Sequence, residues 1–89
     1  MGLDKNWEIR IRKEAHKSLN RFPKKDSQRI FFAIKQMSAN PYYGDIQKME
    51  GEKDVWRRRA GNYRIFYEIL NEEKVVYVFD IQRRTSRTY

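Results

Sequence analysis

Cysteine is absent from the 89 residues, so no disulfide framework, thiol nucleophile or thiolate metal site can form, and a cytoplasmic home is expected. Histidine occurs once, at His16. It falls on a predicted helix and reads as a surface residue rather than a general base. The serines at 18, 27, 38 and 86 therefore have no histidine partner for Ser-His-Asp catalysis. Carboxylates are scattered or interleaved with basic residues, so neither a metal nor another cofactor is expected. No glycine-rich segment joins a strand to a helix, which excludes a phosphate loop. Apolar runs such as Ile30–Ile34 and Val75–Phe79 are far shorter than the roughly 20 residues that span a bilayer, so no membrane contact is expected. Asp4 and Glu8 interrupt Met1–Ile11, which does not resemble a signal peptide.

What the chain has is charge and aromatic side chains. Lys and Arg number 20 against 12 Asp and Glu, a net charge of +8 that calls for an acidic partner. Hydrophobic residues at 39% suffice for one small core, so residues 1–89 are expected to form a single domain.

Trp7–Ile11 alternates apolar and polar residues, the period of a half-buried strand. From Lys13 the period changes, with Ala15, Leu19 and Phe22 on one side of a short helix. Pro23 interrupts it and suits the first turn of a second helix, with Ile30, Ile34 and Met37 as its core stripe. Asn40-Pro41 ends that helix. Residues 42–54 read as a loop with at most a short strand. A hairpin follows, and a polar turn at Asn71–Lys74 leads to the last strand, Val75 to about Ile81, apolar on both faces. The order strand, two helices, three strands predicts an α+β fold: a four-stranded antiparallel sheet with both helices on one face.

The hairpin concentrates the charge. Asp54–Glu68 holds Arg57, Arg58 and Arg59, a Gly61-Asn62 turn, and Arg64 between Tyr63 and Ile65. Alternation puts Arg57 and Arg59 on one face and Trp56, Arg58 and Ala60 on the other. The simplest pairing brings Arg57, Arg59 and Arg64 together opposite the core, a site for a polyanion that guanidinium groups can fork onto. Solvated charge is the plain alternative for Arg57 and Arg59. Arg58 is expected to lay its stem along the sheet edge with its charge in water. Arg64 in mid-strand needs a counter-charge or a ligand, and Glu68 is the candidate counter-charge. Arginines can stabilise a pentacoordinate phosphorus without a metal, but they are poor general bases.

Trp56-Arg-Arg-Arg-Ala-Gly-Asn-Tyr-Arg-Ile-Phe-Tyr67 resembles the hallmark segment of RelE/ParE toxins of type II toxin–antitoxin systems. The likeness extends to the opening strand, the helical hairpin broken at Phe22-Pro23, the Lys48-Met-Glu-Gly51 segment and the arginine-rich end. The RelE-like branch consists of ribosome-dependent mRNA interferases that cut A-site mRNA and leave a 2',3'-cyclic phosphate. The resemblance implies that Arg64 stabilises the transition-state phosphate, and that Arg57 and Arg59 contact RNA or assist proton transfer. It implies Arg83 as general acid toward the leaving 5'-oxygen, and Tyr89 as a base-stacking or proton-transferring residue. Lys48, Arg57, Arg59, Arg84 and Arg87 form the implied RNA-binding set. A RelB-like antitoxin in a hetero-oligomer, a 70S-type ribosome and mRNA are the implied partners. Two features of some relatives are missing: a histidine in the segment that here reads Ile81–Arg84, and a C-terminal helix. The ParE branch shares the fold, inhibits DNA gyrase by protein binding and generally lacks the nuclease residues. Retention of Arg57, Arg59, Arg64, Arg83 and Tyr89 favours the RelE branch.

Overall fold

A computed structural model describes residues 7–84. Its elements are β1 (Glu8–Ile11), α1 (Lys13–Arg21), α2 (Lys24–Ala39), β2 (Ile46–Lys48), β3 (Val55–Ala60), β4 (Tyr63–Leu70) and β5 (Val75–Arg83). Local chemistry accounts for the helix ends. Phe22 is extended because proline follows it, and α1 stops there with Ala15 and Leu19 buried. Pro23 caps α2, its carbonyl accepting from the amides of Asp26 and Ser27. The Ser27 hydroxyl donates to the Leu19 carbonyl at 2.6 Å and ties the two helices together. Helix α2 buries Ile30, Ala33, Ile34 and Met37, and ends at Asn40.

The sheet corrects the expected architecture in two ways. It has five strands in the order β1-β5-β4-β3-β2, and β1 runs parallel to β5, so it is mixed rather than antiparallel throughout. Periodicity reports which face a strand buries but not its direction, and no hairpin turn ties β1 to a neighbour. Its place follows from β5, which is apolar on both faces and takes an interior position. The fifth strand, β2, is a three-residue edge strand paired with Trp56–Arg58. Both helices cover one face, where Ala15, Leu19, Ile30, Ile34 and Met37 meet Tyr63, Ile65, Tyr67, Ile69, Val76, Val78 and Ile81 in one core. Ala60 pairs with Tyr63 across the two-residue turn Gly61-Asn62, with positive φ at Gly61 (62°), as a type II′ turn requires of its first central residue.

A β-bulge in β5 has the largest effect on the second face. Phe66 pairs with Asp80 and Tyr67 with Val78, so Phe79 is the extra residue. Strict alternation would aim Asp80 at the core and Ile81 away from it. The bulge reverses this: Val76, Val78 and Ile81 are buried, while Tyr77, Phe79 and Asp80 are half-exposed.

Arg58 also departs from expectation, because its charge is not left in water. Its Nη1 donates to the Ala33 carbonyl at 3.2 Å and its Nη2 to Gln36 Oε1, clamping β3 to α2. Its guanidinium lies over the Tyr43 ring, 5.8 Å from the centroid, and its Nε is buried without a hydrogen-bond partner among the described residues. Gly44 (φ 97°) lets the chain cross this group, since a Cβ there would stand 3.0 Å from Arg58 Cζ and Nε. β3 is not an edge, because β2 pairs outside it, and the loop at Tyr43 and Gly44 closes over the guanidinium. Arg58→Ala is therefore expected to lower the unfolding free energy by about 2 kcal/mol, the scale of charge-assisted hydrogen bonds. Arg57→Ala, one residue away on the open face, should change it by less than about 0.5 kcal/mol. Equal losses in urea unfolding would contradict this division.

Tyr67 is fully buried, and its hydroxyl donates to the Pro41 carbonyl at 2.9 Å. Burial pushes the phenol up from 10.0 to about 12, against a smaller opposing effect of Arg58. Below pH 10 it is neutral in both folded and unfolded chains. Between about 10 and 12 the unfolded chain releases the proton first, so stability should fall as pH rises, by about 1.4 kcal/mol per unit. Urea titrations across that window should show this slope and a shallower one in Tyr67→Phe; an unchanged slope would assign the loss to other groups.

Candidate functional site

On the face of the sheet away from the helices, the hairpin register sets Arg59 directly opposite Arg64 and Arg57 opposite Phe66. Directly opposed side chains have Cβ atoms about 5 Å apart. Arg57 follows one pleat along β3, roughly 7 Å away. The expected convergence of Arg57, Arg59 and Arg64 is thus present. Like charges in direct opposition repel, so the face carries a cost that an anion would relieve.

Two of the three arginines are steadied by neighbours that periodicity could not reveal. Asp45 Oδ2 accepts from Arg59 Nε at 3.0 Å in an exposed ion pair, and Gln47 Oε1 accepts from Arg57 Nη2. With Ile46 these residues line a cleft of about 270 Å³. Asp45 and Gln47 fall in and next to the irregular segment before the hairpin, where no repeat marks a face; only the pairing of β2 with β3 brings them here. Half-buried Arg64 has no ion pair or side-chain hydrogen bond among the described residues. Glu68, its expected counter-charge, does not reach it. Four residues along a strand is roughly 13 Å, and Glu68 stands level with Val55 and Tyr77 instead.

The other candidates do not join this group. Lys48 pairs with Trp56, whose parity belongs to the helix-side face. Arg83 pairs with Tyr63 and lies over its ring, 5.8 Å from the centroid. That ring is buried against Phe22, and its hydroxyl donates to Asp26 Oδ2 at 2.7 Å, so Arg83 stands on the side opposite Arg64. The bulge is the reason: without it Arg83 would share a face with Tyr77 and Phe79. Desolvation, followed by the bond to Asp26, raises the Tyr63 phenol above its ordinary value, with Arg83 opposing. Arg84 follows the end of β5, exposed, its amide donating to the Asn62 carbonyl at 2.6 Å. Arg87 and Tyr89 lie outside the described residues. His16 is exposed on α1. Among the described residues no group of three or more His, Cys, Asp or Glu could hold a metal, and no helix is long and apolar enough to cross a membrane.

Chemically, the face offers fixed positive charge at strand spacing, with planar donors able to bridge phosphate oxygens. Residues 9–87 match the family of the ParE toxin of type II toxin-antitoxin system, parDE. A protein of Methanocaldococcus jannaschii that bears a toxin name, RelE1, is 26% identical over 81 residues, which cover 88% of this chain and 90% of that one. In the archaeal RelE–RelB complex of Pyrococcus horikoshii OT3, a chain 25% identical superposes with a TM-score of 0.80 over 93% of this chain and 100% of its own length. The isolated RelE toxin of E. coli has the same fold at 16% identity, with a TM-score of 0.79 over 91% of this chain and 87% of its own. Its sequence, its five-stranded fold and these relatives place the chain in the RelE/ParE superfamily of toxins of type II toxin–antitoxin systems.

Proposed function

We propose that this toxin is a ribosome-dependent mRNA endoribonuclease of the RelE kind, a single domain acting in the cytoplasm. The observation that carries the reading is the direct opposition of Arg59 and Arg64, with Arg57 one pleat away, on a face that no described element covers. The 2'-hydroxyl of A-site mRNA attacks the adjacent phosphorus. The 2'-oxygen loses its proton, the bond to the 5'-oxygen breaks, and that oxygen gains a proton; the products are a 2',3'-cyclic phosphate and a 5'-hydroxyl end. Arg64, half-buried between two strands, neutralises charge gathering on the phosphoryl oxygens. Arg57 and Arg59 hold the neighbouring backbone from the cleft side. Arg83 is assigned to the leaving 5'-oxygen, a role for which its side chain must leave the Tyr63 ring and turn around the end of the sheet. Tyr89 stacks on a base or shares in proton transfer, and Lys48, Arg84 and Arg87 extend the basic surface toward RNA. No cofactor enters this scheme. The ribosome holds the mRNA in line for attack, which supplies by geometry what arginines cannot supply as bases.

An antitoxin is the natural regulator, and the fold relatives from P. horikoshii and M. jannaschii are RelE–RelB complexes. A RelB-like chain forming a hetero-oligomer would bring acidic or apolar side chains to the basic face.

On programmed ribosomes, Arg64→Ala is expected to slow cleavage by about 10²–10³-fold, the usual loss when one transition-state donor is removed. Its stability should hold or rise by a few tenths of a kcal/mol, because the Arg59–Arg64 repulsion is gone. The match to the ParE toxin family supports a second reading, gyrase inhibition by protein binding without nuclease activity. Primer extension on mRNA from induced cells separates them. Codon-phased cuts that vanish in Arg64→Ala are expected; uncut mRNA with gyrase-linked DNA breaks would sink the nuclease reading.

A further inference from the structure

Three aromatic rings lie on the arginine face beside the bulge in β5. Phe66 lies opposite Arg57 in register and one pleat along β4 from Arg64. Phe79 packs beside it, with centroids 6.4 Å apart at 44°, and Tyr77 continues the row at 6.5 Å and 34°. These pairs differ from the core contact of Phe22 with Tyr63, whose centroids are 4.6 Å apart. The outer rings spread side by side and present area outward instead of stacking on one another. All three are half-exposed, and no described helix or strand covers them.

Burial does not explain this row. Without the bulge, Phe79 would still share a face with Tyr77, but Asp80 would turn inward and Ile81 outward. The bulge keeps Phe79 outward and also brings Asp80 to that face, where its Oδ2 accepts from Gln82 Nε2 at 2.8 Å. Gln82 stands opposite Arg64. The row is therefore flanked by Arg57 and Arg64 on one side and by an amide and a carboxylate at its end. Such a mixture suits a ligand that is anionic along its backbone and flat and aromatic beside it. An apolar peptide would cover the rings but would also strip water from Arg57 and Arg64 without matching their charge.

We propose that Phe66, Phe79 and Tyr77 form a stacking ledge for a nucleobase next to the scissile phosphate, so that this face positions the A-site codon by base as well as by backbone. The proposal rests on the interferase reading above. Phosphate held by Arg57 and Arg64 has the Phe66 ring within one strand spacing of the first and one pleat of the second. Stacking tolerates any base, so the ledge contributes affinity and orientation rather than strict codon choice.

The test uses the full chain and ribosomes programmed with mRNA carrying either a normal A-site codon or one with a single abasic nucleotide. Phe79→Ser should raise the toxin concentration for half-maximal cleavage of the normal codon about tenfold, within the range for one lost base stack. Phe79→Trp should restore it, and circular dichroism melting should confirm that both variants fold. On the abasic codon, wild type and Phe79→Ser should coincide. Normal codons cut alike by wild type and both variants, or Phe79→Ser losing as much on abasic as on normal mRNA, would overturn the ledge while leaving the arginine reading in place. The same holds if Phe79→Ser and Phe79→Trp spare cleavage but weaken binding of a RelB-like antitoxin, which would make the row a protein seat. Programmed ribosomes left uncut by the wild type would overturn the interferase reading and the ledge with it.

Discussion

Side chains on a strand alternate, so whatever anchors one of Arg57, Arg58 and Arg59 decides the face of the other two. The anchor is Arg58. Its guanidinium bridges the Ala33 carbonyl and Gln36 on α2, beneath a loop that Gly44 allows to pass. This clamp joins the helical layer to β3, and Arg57 and Arg59 are left with the open face. The Gly61-Asn62 turn then sets the register, and the register sets Arg64 against Arg59. A site of three positive groups thus depends on a fourth that is unavailable to any ligand. The consecutive arginines look equivalent in sequence, yet the middle one is structural and its neighbours face solvent.

A second parity rule governs β5. Before the bulge its even-numbered residues face the core; after it Ile81 does, and Arg83 follows Ile81 to the helix side. One extra residue therefore separates Arg83 from Arg64 even though they are near each other in register. The same bulge brings Asp80, beside Phe79, to the face that Arg83 does not join. Catalytic assignments carried along a sequence cross such a bulge unnoticed, because a bulge shifts side-chain parity without changing the order of residues.

Much of the fold could be read without coordinates. Changes of period marked the helices at Lys13 and Lys24, and Pro23 and Pro41 punctuated them where expected. The hairpin and its arginine face followed from alternation plus a glycine turn. What escaped were non-local matters. Strand direction of β1, the pairing of β2 that delivers Asp45 and Gln47, and the burial of Arg58 under residues 43 and 44 all depend on segments distant in sequence. Glu68 failed as a partner for Arg64 for a simpler reason: sharing a face is not sharing a neighbourhood when four residues extend a strand by roughly 13 Å.

Electrostatics ties the site to its regulation. Opposed arginines at strand spacing destabilise the sheet slightly, and Asp45 offsets that only through an exposed pair, which contributes at most about 1 kcal/mol. An anion seated between Arg57, Arg59 and Arg64 removes the repulsion and so binds more tightly than its contacts alone would suggest. On the proposed reading, RNA backbone and an acidic antitoxin segment would each supply that charge at one position, and so exclude each other. Competition for one repulsive cluster would then be sufficient for inhibition, without any conformational change in the toxin. If the aromatic row beside the cluster seats a nucleobase as proposed, the two ligands are not equivalent: RNA carries flat rings in step with its charges, and the face would distinguish the two while holding both by the same arginines.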